Sequence, residues 1–171
     1  MKDLIKIKRL PAFSYILYSV IIALGIGADQ LTKLLAVKFL MPIDTLPIIK
    51  GVIHLTYVEN RGAAFGMLAN HRWVFIVIST VTIIAMLYVL YSGRLQNKLY
   101  TVSVAMIISG GIGNMIDRTA LGYVVDFIDF RLINFAVFNG ADSFVCVGAG
   151  ILVLALILDI VKESRKRDEK N

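Results

Sequence analysis

Two aspartates carry the chemistry this chain could perform: Asp126 in Val124-Val125-Asp126-Phe127, and Asp142 in Phe138-Asn139-Gly140-Ala141-Asp142-Ser143. Two carboxyls held close together cannot both ionise and come to share one proton. The ionised member can deprotonate a water, while the protonated member polarises a carbonyl and the departing amine later receives a proton. That chemistry hydrolyses an amide with neither a nucleophilic side chain nor a metal. On spacing alone the plain readings stand equally: Asp142 as the N-cap of a following helix, and Asp126 as a solvated loop acid.

Other polar residues gather in short blocks. Gly110-Gly111-Ile112-Gly113-Asn114-Met115-Ile116-Asp117-Arg118 closes an apolar run, with Asn114 and Arg118 one helical turn apart. Its glycines read as small-residue helix packing. Asp117 and Arg118 read either as a terminal ion pair or as groups orienting a catalytic loop. Asp29 precedes Lys33 by four residues, the favourable order for an intrahelical pair. Asn60-Arg61-Gly62-Ala63-Ala64-Phe65-Gly66 reads as a turn that caps a site or binds an extended peptide.

Two protease alternatives fit less well. Ser109 lies in Met106-Ile107-Ile108-Ser109-Gly110, which lacks the G-x-S-G of a serine nucleophile, and Gly111-Ile112-Gly113-Asn114 carries Asn where a G-x-G-D motif needs Asp. His54 and His71 stand apart from any second Cys or His, and the single thiol, Cys146, lies in an apolar run. The spacing of a zinc site is therefore missing, and no metal or cofactor is expected.

The elements that must position these residues are membrane-spanning. Of 171 residues, 58% are hydrophobic and 18% charged, with mean hydropathy +0.78, whereas soluble chains are about 25% charged. Spans are expected at about 13–38, 73–92, 98–117 and 141–160. The first run is too long for the h-region of a cleaved signal peptide and reads as an uncleaved helix. Trp73, Tyr88 and Tyr91 suit interfacial anchors. Between the spans, 41–71 contains the β-branched and aromatic run Val52–Val58, expected as a small extramembrane sheet. Segment 119–140 is expected as an amphipathic arm in the interface. The charged tail, Lys162 to Asn171, is expected to fray. A single domain over 1–171 accounts for all of this.

The charge of +6 sits in flanks of apolar segments and does not form a nucleic-acid surface. Eleven of the 18 basic residues lie in the N-terminus, the 92–98 loop and the tail, which four spans place on one side. That asymmetry predicts cytoplasmic termini and puts Asp29, Lys33, Asn60, Asp117, Arg118, Asp126 and Asp142 together at the outer face. A proton-coupled transporter would step its carboxylates through the membrane, and these cluster at one face.

Five blocks in order resemble the bacterial lipoprotein signal peptidases (signal peptidase II): Asp29-Gln30-Leu31-Thr32-Lys33, Asn60 to Gly66, Gly113 to Arg118, Val124 to Phe127, and Phe138 to Ser143. The resemblance implies an aspartyl endopeptidase of the bacterial cytoplasmic membrane, with its site near the outer face. Such an enzyme removes the signal peptide from diacylglyceryl-modified prolipoproteins, cutting N-terminal to the lipidated Cys. It implies Asp126 and Asp142 as the catalytic pair and Asp117 as a structural partner of Arg118. It implies Asp29, Lys33, Asn60, Gly62, Asn114, Arg118 and Asn139 as residues that support the site or position substrate. The fold implied is a membrane all-α bundle of four transmembrane helices, with a small extracytoplasmic β-cradle and an amphipathic arm over the active site. Expected partners are the lipidated substrate and membrane lipid, with no nucleic acid, and the chain is expected to act as a monomer.

Overall fold

A computed structural model describes residues 11–62, 72–95 and 97–168. Met1–Arg9, His71 and Ala63 to Gly66 lie outside those residues. Among the described residues four helices are long and apolar enough to cross a membrane: α1 (Ala12–Phe39), α2 (Arg72–Tyr91), α3 (Lys98–Ala120) and α4 (Gly140–Asp168). Their large apolar side chains, among them Leu24, Leu34, Trp73, Val81 and Ile160, point outward, as lipid-facing residues do.

α3 is the central helix. It packs against α1, α2 and α4, and its buried face is made largely of small residues: Ser103, Ala105, Ser109, Gly110 and Gly113. Lipid tails are as apolar as leucine, so close backbone approach must hold such helices together. At Gly110 an added Cβ would overlap the carbonyl oxygen of Ala141, and at Gly113 it would overlap the carboxylate of Asp29. These two glycines bring α4 and the polar side chains of α1 against α3. Below them Tyr18, Ile22, Ile83, Leu90, Val104, Ala105 and Ile108 form the apolar core.

A three-stranded antiparallel sheet covers one end of the bundle, ordered β1 (Thr45–Ile49), β2 (Ile53–Asn60), β3 (Val124–Phe130). Gly51, at φ +75°, turns the chain between β1 and β2, a conformation that costs glycine little. Val125 packs with Ala36 of α1 and Leu40 just after it, with Leu55, Tyr57 and Phe127 around them, so the sheet rests on the end of α1.

The third strand is where the structure departs from the amphipathic-arm reading of 119–140. Val-Val-Asp-Phe-Ile-Asp-Phe alternates as a strand and pairs with β2 in the register Asn60↔Val124 and Val58↔Asp126. Between β3 and α4 only Arg131–Ile133 turn helically, as one 3-10 turn, and the exposed apolar residues Leu132, Ile133 and Phe135 lie in it or just beyond it. The tail also differs from expectation: α4 stays helical to Asp168, past its apolar part, with an i,i+4 pair between Glu163 and Arg167 at 2.8 Å.

Candidate active site

The polar residues of α1, α3, β2, β3 and the first turn of α4 meet at the sheet-covered end of the bundle. Their centre is Lys33, whose side chain is 4% exposed. Its Nζ lies 2.9 Å from Asp29 Oδ2 and 3.0 Å from Asp117 Oδ2, and donates to Asn114 Oδ1 at 2.9 Å. The expected Asp29–Lys33 pair is thus part of a buried triad. Asp117 is ion-paired with Lys33, and its charge also acts on the Arg118 guanidinium. Asp117 projects from α3 toward α1, where an ammonium of a neighbouring helix can satisfy it inside the protein.

Both triad carboxylates also reach backbone. Asp29 Oδ1 accepts from Ala141 N at 2.8 Å, and Asp117 Oδ2 accepts from Val125 N at 3.1 Å. These are the residues immediately before Asp142 and Asp126. Gln30, which the sequence reading gave no role, ties the triad together by donating to Asp117 Oδ1 at 3.0 Å and lying within 3.2 Å of Asp29 Oδ2. Its place next to Asp29 in the D-Q-L-T-K block was the only signal for it.

Asp126, 1% exposed, accepts from Asn139 Nδ2 at 2.6 Å and from Asn60 Nδ2 at 2.9 Å. Asn60 is held in turn by Gly62 N, which donates to its Oδ1 at 3.0 Å. Asp142 accepts from Asn114 Nδ2 at 2.7 Å and from Asn139 N at 3.3 Å. Asn139 Oδ1 receives Asp142 N at 2.9 Å, so the two residues form a reciprocal capping box at the start of α4. The plain reading of Asp142 as the N-cap is therefore corrected. Asn139 is the cap and Asp142 its partner three residues on, a pattern visible as N-x-x-D in the sequence. One side chain, Asn139, touches both aspartates.

Arg118 stands over the ring of Phe75 at 5.0 Å and donates to the carbonyls of Gly62 and Asn114, each at 3.4 Å. Both aspartates lie within electrostatic reach of its guanidinium. Ser109 is 1% exposed and its hydroxyl fills the space beside Gly25, which leaves no approach for a substrate carbonyl.

β3 carries two aspartates that the structure treats in opposite ways. Burial would raise the Asp129 carboxyl, but hydrogen bonds from Arg131 and Thr56, both at 2.8 Å, outweigh it and hold the group below the usual carboxylate range. Among the described residues no cation is in ion-pair contact with Asp126. Burial, with the nearby Asp142 carboxylate adding to it, outweighs the Asn60 and Asn139 amides and the more distant charge of Lys33, and its carboxyl is pushed up to about 7. A carboxyl of that kind can hold a proton near neutral pH beside a second carboxyl linked to it through Asn139.

The chain is similar to known proteins over most of its length. The family model described as signal peptidase (SPase) II matches residues 21–158. A lipoprotein signal peptidase of Caldanaerobacter subterraneus subsp. tengcongensis is 56% identical over 138 residues, which cover 81% of this chain and 94% of that protein. The lipoprotein signal peptidase of Clostridioides difficile is 48% identical over 141 residues, covering 82% and 95%. A bacterial membrane enzyme solved by the in meso method superposes with a TM-score of 0.75 at 30% identity, over 84% of this chain and 88% of that one.

Proposed function

The chain belongs to the signal peptidase II family, an aspartic peptidase family, and from that premise we propose that it cleaves diacylglyceryl-modified prolipoproteins N-terminal to the lipidated Cys. The observation that carries the mechanism is the hydrogen-bonded unit joining Asp126 and Asp142 through Asn139.

Asp126 enters protonated, because burial among neutral donors favours its uncharged form, and Asp142 is then the ionised partner. Asp142 takes a proton from water as the water oxygen attacks the scissile carbonyl carbon, and Asp126 gives its proton to the carbonyl oxygen. In the resulting gem-diol, Asp142 passes its proton to the amide nitrogen. The C–N bond breaks, a hydroxyl proton returns to Asp126, and one water has been added across the amide. Asn60, Asn114 and Asn139 hold the carboxyls throughout. Arg118 supports the loop at Gly62, which borders the site.

The site lies where α1 and α3 end and α4 begins, so all its residues share one depth of the bundle. A substrate anchored by a signal helix and acyl chains can approach it sideways from the bilayer. We place that end at the outer face of a bacterial cytoplasmic membrane, with both termini inside, on the strength of the Lys and Arg asymmetry. One chain, acting as a single membrane domain, supplies every residue of the site, which supports a monomer. Cysteine labelling in intact cells checks the orientation. With Cys146 replaced by Ser, a Cys at Ile133 should react with an impermeant maleimide and a Cys at Ser164 should not; the reverse pattern overturns it.

The activity is tested by reconstituting the full chain in lipid with a prolipoprotein before and after diacylglyceryl transfer. Cleavage is expected only of the lipidated form. The acid form of Asp126 is lost as pH rises through about 7, so kcat should fall on the alkaline side, approaching tenfold per pH unit. A kcat flat from about pH 6 to 9 contradicts that assignment.

A further inference from the structure

Building on the two-aspartate reading, we propose that Lys33 is a positioning residue whose single ammonium sets the direction of the hydrogen bonds reaching both catalytic carboxyls. An ammonium has three protons and no lone pair, so each of its partners must turn an acceptor to it. The three partners are Asp29, Asp117 and Asn114, at 2.9, 3.0 and 2.9 Å.

Each partner leads to the reacting pair by its own route. Asp29 grips the backbone N–H before Asp142, and Asp117 grips the one before Asp126. Asn114, obliged to give its oxygen to Lys33, has only its NH2 left for Asp142, at 2.7 Å. The same Asn114 oxygen receives Asn139 Nδ2 at 3.1 Å, and that NH2 also reaches Asp126. The polarity of Asn139 is set independently, because the backbone N–H of Asp142 needs its oxygen. Every amide between the lysine and the two aspartates therefore presents donors to the carboxyls. With no donor at Lys33, the Asn114 oxygen keeps only the Asn139 NH2, which is shared with Asp126, and the amide is freer to reverse and set its oxygen against Asp142, where it opposes a carboxylate.

This role differs from simple neutralisation of two buried acids, and a neutral variant separates the two. In Asp29→Asn/Lys33→Met/Asp117→Asn, the asparagine oxygens can still receive Ala141 N and Val125 N, and methionine fills the lysine stem, but Asn114 loses its closest donor and keeps only the shared NH2 of Asn139. The expected result, in lipid with diacylglyceryl-prolipoprotein, is wild-type accumulation and thermal midpoint, kcat lower by on the order of 100-fold, and KM within about twofold. Wild-type kcat in this variant overturns the proposal. Should the variant not accumulate, Asn114→Ala decides, because it leaves all three charges in place. The same loss of kcat at unchanged KM supports the orienting role, and an unchanged kcat overturns it. Asp142→Asn runs in the same assay. Cleavage by that protein would overturn the two-aspartate reading itself, an outcome distinct from failure of the Lys33 role.

Discussion

Asp126→Asn and Asp142→Asn will each abolish release of the signal peptide, lowering the single-turnover rate by about 10⁴-fold, while the protein accumulates and binds substrate as before. Asparagine keeps the shape and one acceptor oxygen of aspartate, so the amide contacts from Asn60, Asn139 and Asn114 persist in part. What disappears is the proton traffic. The Asp126 variant has no acid for the carbonyl, and the Asp142 variant has no base for the water. Because the two carboxyls act as one unit, the double variant should be no slower than either single one. Rates that multiply in the double variant would mean that the residues act independently. Substantial cleavage by either single variant would mean that another residue performs the chemistry.

Lys33→Met alone will have the largest effect on the fold. It leaves Asp29 and Asp117 inside the bundle without their cation, and removing one partner of a buried ion pair costs about 3–5 kcal/mol. The Glu163–Arg167 pair on α4 has the same 2.8–3.0 Å geometry, but its side chains are 70% and 76% exposed, so Arg167→Ala should cost roughly 0–1 kcal/mol. Thermal unfolding of the purified variants in one lipid mimetic reads the contrast. Equal midpoints for the two would show that the Asp29–Lys33–Asp117 cluster is solvated or dispensable.

How much of this was legible in the chain follows from the physics of each part. Long uncharged runs announce spans because the bilayer tolerates little else, and the four helices stand within a few residues of the expected ones over most of their length. The exception is α4, whose charged end reads as solvent-exposed tail and whose helicity rests on local pairing. β3 hid because a strand of seven residues is short and its partner, β2, lies far back in the sequence, so only tertiary pairing separates it from an interfacial arm. Aspartates at the ends of apolar runs stood out from the composition. Their partners did not, because an i,i+4 spacing shows that Asp29 meets Lys33 but cannot show that Asp117 arrives from another helix. The capping box of Asn139 and Asp142 was written in the sequence as N-x-x-D, whereas the contact of Asn139 with Asp126 exists only once β3 is laid against α4.

The central claim is that one proton resides on the Asp126–Asp142 pair and that Asp126 carries it. Infrared difference spectroscopy of the full chain in lipid, titrated from about pH 5 to 9, reads protonated carboxyls directly by their C=O stretch. One such band should titrate near pH 7 in the wild type and vanish in Asp126→Asn. A wild type without a titrating carboxylic band, or a band that survives Asp126→Asn, would contradict the account.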